Sequence, residues 1–172
     1  MIEAVPSSAE TPANTKFVAR AIEDKAGFAS IMRATWGSDK LVVGLHVYDV
    51  NEIDMTGLYG ADGALHAIAS WTIRKNTAHL CALHALTTGR GHAKALLVEV
   101  KQIAAGRGAK SMRAMVTNDN MPGMIFYQMQ GFRFSNLYVG AVDAYRPIMP
   151  ELIKTGYMGL PVHDALELEI LL

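Results

Sequence analysis

Residues 83–97 of the chain, LHALTTGRGHAKALL, decide the fold. The apolar start of this stretch is typical of a buried strand, and the apolar residues after its turn recur at helical spacing. The first amides of a helix have no partner within it, and with the helix dipole they favour an anion such as phosphate. Gly89 and Gly91 let the backbone approach a ligand closely, and Arg90 and Lys94 carry positive charge. The stretch predicts a phosphate-holding turn, with a purely structural connection as the alternative.

Two well-known phosphate loops do not fit this turn. A nucleoside triphosphate loop needs Gly-Lys-Ser/Thr after a four-residue spacer, which is absent from this stretch. A dinucleotide fingerprint needs a glycine three residues after Gly91, where Lys94 stands, and an acidic residue about 20 positions further on. The ligand therefore belongs to another class.

A different family fits the turn better. Residues 88–93 resemble the Gln/Arg-x-x-Gly-x-Gly/Ala signature of the GNAT acyltransferase superfamily, whose members hold the pyrophosphate of acetyl-CoA there. Gly91 and Ala93 match the small positions of that signature. Thr88 stands where Gln or Arg is usual, which is expected to cost one phosphate contact, and His92 stands where Ile or Val is common.

A second motif follows about 30 residues later. Residues 120–132, NMPGMIFYQMQGF, are similar to the family pattern Asn-x-x-Ala-x-x-x-Tyr-x-x-x-Gly-Phe. Asn120, Tyr127, Gly131 and Phe132 match, and Gly123 replaces the Ala. The two motifs in this order, with a predicted strand between them, extend the resemblance over residues 16–134.

The resemblance implies an α/β (α+β) fold with a mixed, mostly antiparallel sheet, flanked by helices and splayed into a V that holds acetyl-CoA. The strand over residues 82–86 would pair with the pantetheine arm, and the turn would hold the pyrophosphate. The residues implied in cofactor binding are Leu83, Ala85, Leu86, Thr88, Gly89, Arg90, Gly91, His92, Ala93, Lys94, Asn120, Gly123 and Tyr127.

The implied function is acetyl-CoA-dependent N-acetyltransfer to the amine of a small-molecule acceptor, by direct attack in a ternary complex. Tyr127 would protonate the departing thiolate as a general acid. Two alternatives remain open: an acyl-CoA-binding sensor without turnover, and an acetyltransferase acting on a protein N-terminus or lysine.

The general base is less well defined. Many family members place a Glu on the strand before the turn, but residues 77–86 contain no carboxylate. His79 and His84 are the candidates there, and alternation along the strand puts them on opposite faces. A water-mediated base, or ordinary strand histidines without a catalytic role, remain alternatives, and His66 is a weaker candidate.

Other chemistry is not supported. His79, Cys81 and His84 do not form a four-ligand set with zinc-type spacing, so no metal is expected. Cys81 lies in an apolar strand and is interpreted as an inert core residue.

Periodicity and turn residues predict the remaining elements. Strands are expected over residues 16–22, 65–73, 77–86, 111–117, 132–139 and 164–172. Helices are expected over residues 23–36 and 93–104, with a short third helix after the cap at residues 118–120, ending at Gly131. Residues 41–50 are ambiguous, and residues 147–161 are expected to be irregular.

Length and charge limit the class of protein. The chain has 172 residues, with 16 basic and 16 acidic side chains, so no nucleic-acid partner is expected. Its single cysteine cannot form an internal disulfide, and no charge-free stretch is long enough for a membrane span. We expect a cytoplasmic protein with a flexible leader over residues 1–14 and one domain over residues 15–172, while a homodimer remains open.

Overall fold

The computed structural model describes residues 17–36, 40–43 and 46–172, so the expected leader over residues 1–14 lies outside the described residues. The helices in these ranges are α1 (Lys25–Trp36), α2 (His92–Gly106), α3 (Met121–Met129) and α4 (Ala141–Tyr145). The strands are β1 (Val18–Ala21), β2 (Lys40–Val43), β3 (His46–Asp49), β4 (Asp54–Tyr59), β5 (Leu65–Arg74), β6 (Thr77–Ala85), β7 (Ser111–Thr117), β8 (Arg133–Tyr138) and β9 (Ala165–Leu171). None of the helices in the described part of the chain is long and apolar enough to cross a membrane.

The strands form a sheet in the order β1-β4-β5-β6-β7-β9-β8, and β2 and β3 form a separate hairpin. Neighbouring strands in the sheet are antiparallel except β6 and β7, which are parallel. The parallel pair arises because α2 crosses over between β6 and β7. The expected mixed, mostly antiparallel sheet flanked by helices is confirmed.

Both faces of the sheet carry a hydrophobic core. On one face α2 packs its apolar stripe, including Leu96, against side chains such as Leu80. On the other face α1 and the β2–β3 hairpin bury Met32 and Tyr48 against Ile68. With both faces covered, a ligand has to enter between strands or at their ends.

Several elements differ from the sequence prediction. β4 was missed because residues 55–58 are all buried, so the polar–apolar alternation of a half-exposed strand is absent. α4 was missed because five residues are too few to show a helical period. The ambiguous residues 41–50 contribute to β2, β3 and a short 3₁₀ turn at Val50–Glu52.

β6 contains one residue more than its pairing with β5 requires. Ser70 of β5 pairs with Ala82, and Trp71 pairs with Leu80, so Cys81 is an extra residue in a β-bulge. A bulge bends its strand and increases the local twist. The direction of β6 therefore changes at Cys81.

The bulge also changes which residues share a face. His79 pairs with Thr72, and His84 pairs with Ile68. Thr72 and Ile68 are four residues apart on β5, so their partners lie on one face of the sheet. The expectation that His79 and His84 lie on opposite faces is wrong, because the extra residue shifts the alternation by one position.

Candidate active site

β6 and β7 run side by side for only part of their length. Their parallel pairing ends at Leu80 and Ala114, immediately before the bulge. Beyond that pair β6 continues along β5, and β7 continues along β9. The sheet opens there into a wedge between residues 81–85 and residues 115–117, as expected for a splayed sheet.

The edge of β6 presents backbone groups to this wedge. The amide of Leu86 donates to the carbonyl of His66 at 2.9 Å, which sets the phase of bonding between β5 and β6. Because antiparallel bonding alternates along a strand, the amides and carbonyls of Leu83 and Ala85 point away from β5. The backbone groups of Leu83 and Ala85 thus face the wedge. The amide of Leu86, in contrast, already donates a hydrogen bond to His66.

A cavity of about 240 Å³ occupies the wedge. β6 contributes residues 80–83 to its lining, and β7 contributes Met115 and Val116. Asn120 and Tyr127 line it from α3 and its cap, so the structure brings the second sequence motif to the opened strand.

Part of this lining was not predicted from the sequence. Residues 40–42 of β2, together with Met149 and Leu152, complete the cavity wall. They belong to neither motif: Lys40 is a charged residue, and the others are apolar side chains in segments without clear periodicity. They reach the wedge through the hairpin and through the chain that follows α4.

The turn between β6 and α2 leaves several amides available to a ligand. The first helical bond runs from the amide of Ala95 to the carbonyl of Gly91 at 3.0 Å, so the amides of residues 92–94 have no partner within the helix. Gly89 and Gly91 have φ of 74° and 76°, which favours glycine. A Cβ on either would meet nothing within 4 Å, so the space around the turn is open.

The charged side chains of the turn are exposed. Arg90 and Lys94 both extend into solvent beside these amides, and Thr88 is exposed as well. A local positive site thus exists although the whole chain has no net charge. Backbone amides and two cations together suit a phosphate group.

His92 turns inward from the same turn. It is 8% exposed, and its ring centroid lies 5.1 Å from that of Phe17 and 4.6 Å from that of His66. Burial, followed by the neighbouring His66 and Arg90, lowers the pKa of His92. His92 is therefore placed to offer a ligand its backbone amide rather than its side chain.

Asn120 has a structural role in addition to its place in the cavity. Its Oδ1 accepts a hydrogen bond from the amide of Gly123 at 2.9 Å and so caps α3. A Cβ on Gly123 would lie 2.7 Å from Nδ2 of Asn120. The small residue at position 123 thus keeps the Asn120 side chain in its capping position.

Tyr127 is a buried residue that lines the wedge cavity. It is 9% exposed, and its ring packs against those of Phe126 and Phe132 with centroids 5.3 Å away in each case. Burial raises the pKa of Tyr127. The hydroxyl is therefore protonated at neutral pH.

The structure separates the candidate histidines. His79 lies in the paired half of β6, where its Nδ1 shares a 2.9 Å hydrogen bond with the hydroxyl of Tyr48. Burial, then His46, Arg113 and Arg74, lowers the pKa of His79 to about 4. His84 lies in the opened half of β6 and is half-buried, while His66 packs against His92.

Other reactive groups in the site are limited. Burial raises the pKa of the Cys81 thiol to about 12, which agrees with its interpretation as an inert residue. Within residues 17–36, 40–43 and 46–172, no group of His, Cys, Asp or Glu side chains is arranged to hold a metal ion. No carboxylate from these ranges lines the wedge cavity.

A mixed sheet that opens beside a glycine-containing turn at the start of a helix matches the fold of known acetyltransferases. A sequence model described as "Acetyltransferase (GNAT) family" matches residues 6–132, and the chain belongs to this family. It is 27% identical over 131 residues to "Uncharacterized protein YxbD" of Bacillus subtilis (strain 168), a match that covers 76% of this chain and 82% of that protein.

Solved structures share the fold. The "IAA acetyltransferase from Bacillus cereus ATCC 14579" superimposes with a TM-score of 0.68 at 15% identity, covering 91% of this chain and 100% of that one. A Bacillus subtilis acetyltransferase in complex with CoA gives a TM-score of 0.70 at 13% identity, covering 91% of this chain and 99% of that one. The recognition of the family from its two motifs is confirmed.

Proposed function

We propose that the protein transfers the acetyl group of acetyl-CoA to the amine of a small-molecule acceptor, by direct attack within a ternary complex. The observation that carries the proposal is the continuity of β6 with the turn. The strand borders the wedge cavity and ends at Ala85, and the turn over residues 86–91 then leads to the amides of residues 92–94. A long ligand with an amide-containing arm at one end and phosphates at the other matches this arrangement.

The arm of acetyl-CoA would lie along the opened edge of β6. The outward backbone groups of Leu83 and Ala85 offer it the hydrogen bonds that a neighbouring strand would otherwise make. The amides of Gly89 to Lys94, with the side chains of Arg90 and Lys94, would hold the pyrophosphate. Asn120 and Gly123 would border the arm from α3.

The reaction would proceed at the inner end of the wedge. The acceptor nitrogen attacks the thioester carbonyl carbon, a C–N bond forms, and the C–S bond breaks. The departing thiolate takes the proton of the Tyr127 hydroxyl, which burial keeps protonated until then. Tyr127 is reprotonated by the proton that the attacking amine has lost, so the enzyme returns to its starting state.

The proton of the amine needs an acceptor of its own. Of the candidates, we favour His84, acting directly or through a water, because it lies in the opened half of β6. His79 is held by Tyr48 and borders a separate cavity with His46, Arg74 and Arg113. We therefore assign His79 to the stability of the paired half, and His84 to the proton transfer.

Two measurements test the proposal. Calorimetry compares acetyl-CoA with acetyl-pantetheine, which lacks the phosphates, and we expect acetyl-CoA to bind much more tightly. Release of CoA thiol in the presence of amines then measures transfer. Failure to bind acetyl-CoA would contradict the proposed function.

One observation favours a second candidate, an acyl-CoA sensor without turnover. The part of the cavity lining that the structure describes contains no carboxylate base, and Thr88 replaces a stronger phosphate ligand. Tight acetyl-CoA binding without thiol release for any amine would support the sensor and exclude the transferase.

A further inference from the structure

A second cavity adjoins the wedge cavity. It has a volume of about 120 Å³ and shares four lining residues with the wedge cavity: Val42, Met115, Val116 and Leu152. The two spaces are therefore neighbours across a common wall of apolar side chains. An acceptor whose amine lies in the wedge cavity has this second space next to it for its remaining atoms.

The rest of the second cavity is also largely apolar. β7 and β9 contribute Thr117 and Ala165, and α4 contributes Ala141, Val142 and Tyr145. Within the described residues, no charged side chain lines this cavity. The two hydroxyl groups of Thr117 and Tyr145 are its only polar side chains in that part of the chain.

Carboxylates near this lining in sequence are directed elsewhere. Asp143 pairs with Arg146, and Glu151 is exposed to solvent. The others accept hydrogen bonds from protein groups, Asp164 from the amide of Gly140 and Glu167 from the hydroxyl of Ser135. The buried Asp119 accepts from the hydroxyl of Thr117 and from the amide of Tyr157. A second ammonium group in the cavity would thus have no carboxylate partner in its lining.

These observations define which acceptors the cavity accommodates. An ammonium group buried without a partner is strongly disfavoured, whereas each buried methylene improves binding by roughly fourfold. Desolvation also lowers the pKa of a buried amine. An apolar environment would thereby help to supply the neutral amine that attacks the thioester.

We propose that the acceptor is a monoamine with an apolar substituent, and that the second cavity binds this substituent. The proposal rests on the acetyltransferase function proposed above and narrows its substrate class. We do not expect polyamines and other polycations to be good acceptors, because the cavity lining offers no carboxylate to their additional ammonium groups.

A matched pair of amines tests the proposal directly. Pentylamine and 1,5-diaminopentane differ at the far end of the chain, where one carries a methyl group and the other an ammonium group. With saturating acetyl-CoA and thiol release as the readout, we expect kcat/KM to be at least about tenfold higher for pentylamine. From propylamine to pentylamine, kcat/KM should rise by roughly threefold to fourfold per methylene.

A pair of variants on α4 checks that the second cavity is responsible. Ala141 lines the cavity and is the first residue of α4, while Ala144 is an exposed residue of the same helix. Ala141→Asp should raise the ratio of diaminopentane to pentylamine turnover by about tenfold, because it supplies the missing carboxylate. Ala144→Asp should leave the ratio unchanged. The ratio is internal to each variant and does not depend on the amount of folded protein.

The possible failures are distinguishable. Equal or better turnover of diaminopentane by the unmodified protein would overturn the substrate class and leave the acetyltransferase function standing. An unchanged ratio in Ala141→Asp would also overturn the assignment of the cavity. Absence of thiol release with every amine would instead overturn the proposed function itself.

Discussion

Gly91 and Gly108 lie at opposite ends of α2 and share a left-handed backbone, with φ of 76° and 92°. A Cβ on either residue would have nothing within 4 Å. Both positions therefore need glycine for backbone conformation and not for space. Gly108 is therefore a control for Gly91. The two residues have the same backbone requirement, but only Gly91 borders the amides proposed to hold pyrophosphate.

Alanine at these two positions should separate binding from stability. We expect Gly91→Ala and Gly108→Ala each to lower the free energy of unfolding by about 1 kcal/mol, measured by urea titration. Only Gly91→Ala should also weaken acetyl-CoA binding in calorimetry, since relief of its strain moves the turn. Equal acetyl-CoA affinity in the two variants would contradict the assignment of the pyrophosphate site.

Removing the hydroxyl of Tyr127 should affect catalysis and leave the fold intact. The ring is buried and its packing does not need the hydroxyl, so Tyr127→Phe should keep its melting temperature. If the hydroxyl is the general acid, kcat should fall by about 10²–10⁴-fold. Tyr59→Phe, on β4 and outside the wedge lining, serves as the control with unchanged kcat. Unchanged turnover in Tyr127→Phe would eliminate the acid role.

Two substitutions at Asn120 should distinguish its capping role from ligand contact. Asn120→Ala removes the acceptor of the Gly123 amide and should lower the free energy of unfolding by about 1 kcal/mol. Asn120→Asp keeps the acceptor and should preserve stability in the same urea titration, but it lacks the Nδ2 donor. Loss of acetyl-CoA affinity in both variants would indicate that Nδ2 contacts the ligand, and retention in Asn120→Asp would limit the residue to capping.

The buried His79 should make the fold sensitive to acid. Its pKa of about 4 lies below the unfolded value of about 6.5, so between these two values the unfolded chain binds more protons. This contribution to stability is complete above about pH 6.5 and is lost as the pH falls toward about 4. Going from about pH 6.5 to about pH 5 should remove about 2 kcal/mol through this residue.

Replacement of His79 checks this linkage. The variant His79→Gln should show a flatter dependence of unfolding free energy on pH in urea titrations at several pH values. Some slope should remain, because burial also lowers the pKa of His92. A slope identical to that of the unmodified protein would refute the contribution of His79.

The sequence predicted those elements around the candidate site that depend on local patterns. Gly89 and Gly91 have positive φ and lie just before a helix start, and this turn can be recognised from a short stretch. Tyr127 and Asn120 could be placed because the spacing of their motif is local. By contrast, residues 40–42, Met149 and Leu152 reach the wedge through long-range packing that no local pattern encodes.

The same distinction between local and long-range information explains where the predicted strands differ from the observed sheet. β4 is buried on both faces, so its polar–apolar alternation vanished. The prediction that His79 and His84 lie on opposite faces was wrong, because it assumed that side chains alternate along β6 without a bulge. Leu86 is among the residues implied in cofactor binding, but its amide donates to the carbonyl of His66.

The extra residue at Cys81 has a consequence for how this site is encoded. The opening between β6 and β7 follows from the number of residues in β6 relative to β5, since pairing stops at the bulge. The thiol itself makes one weak contact, 3.5 Å to the carbonyl of His79. Many small side chains at this position would therefore preserve the opening, whereas deletion of the single residue would give β6 regular pairing with β5 and remove the bulge. The architecture of the site is thus specified by chain length, independently of the chemistry of the residue that provides it.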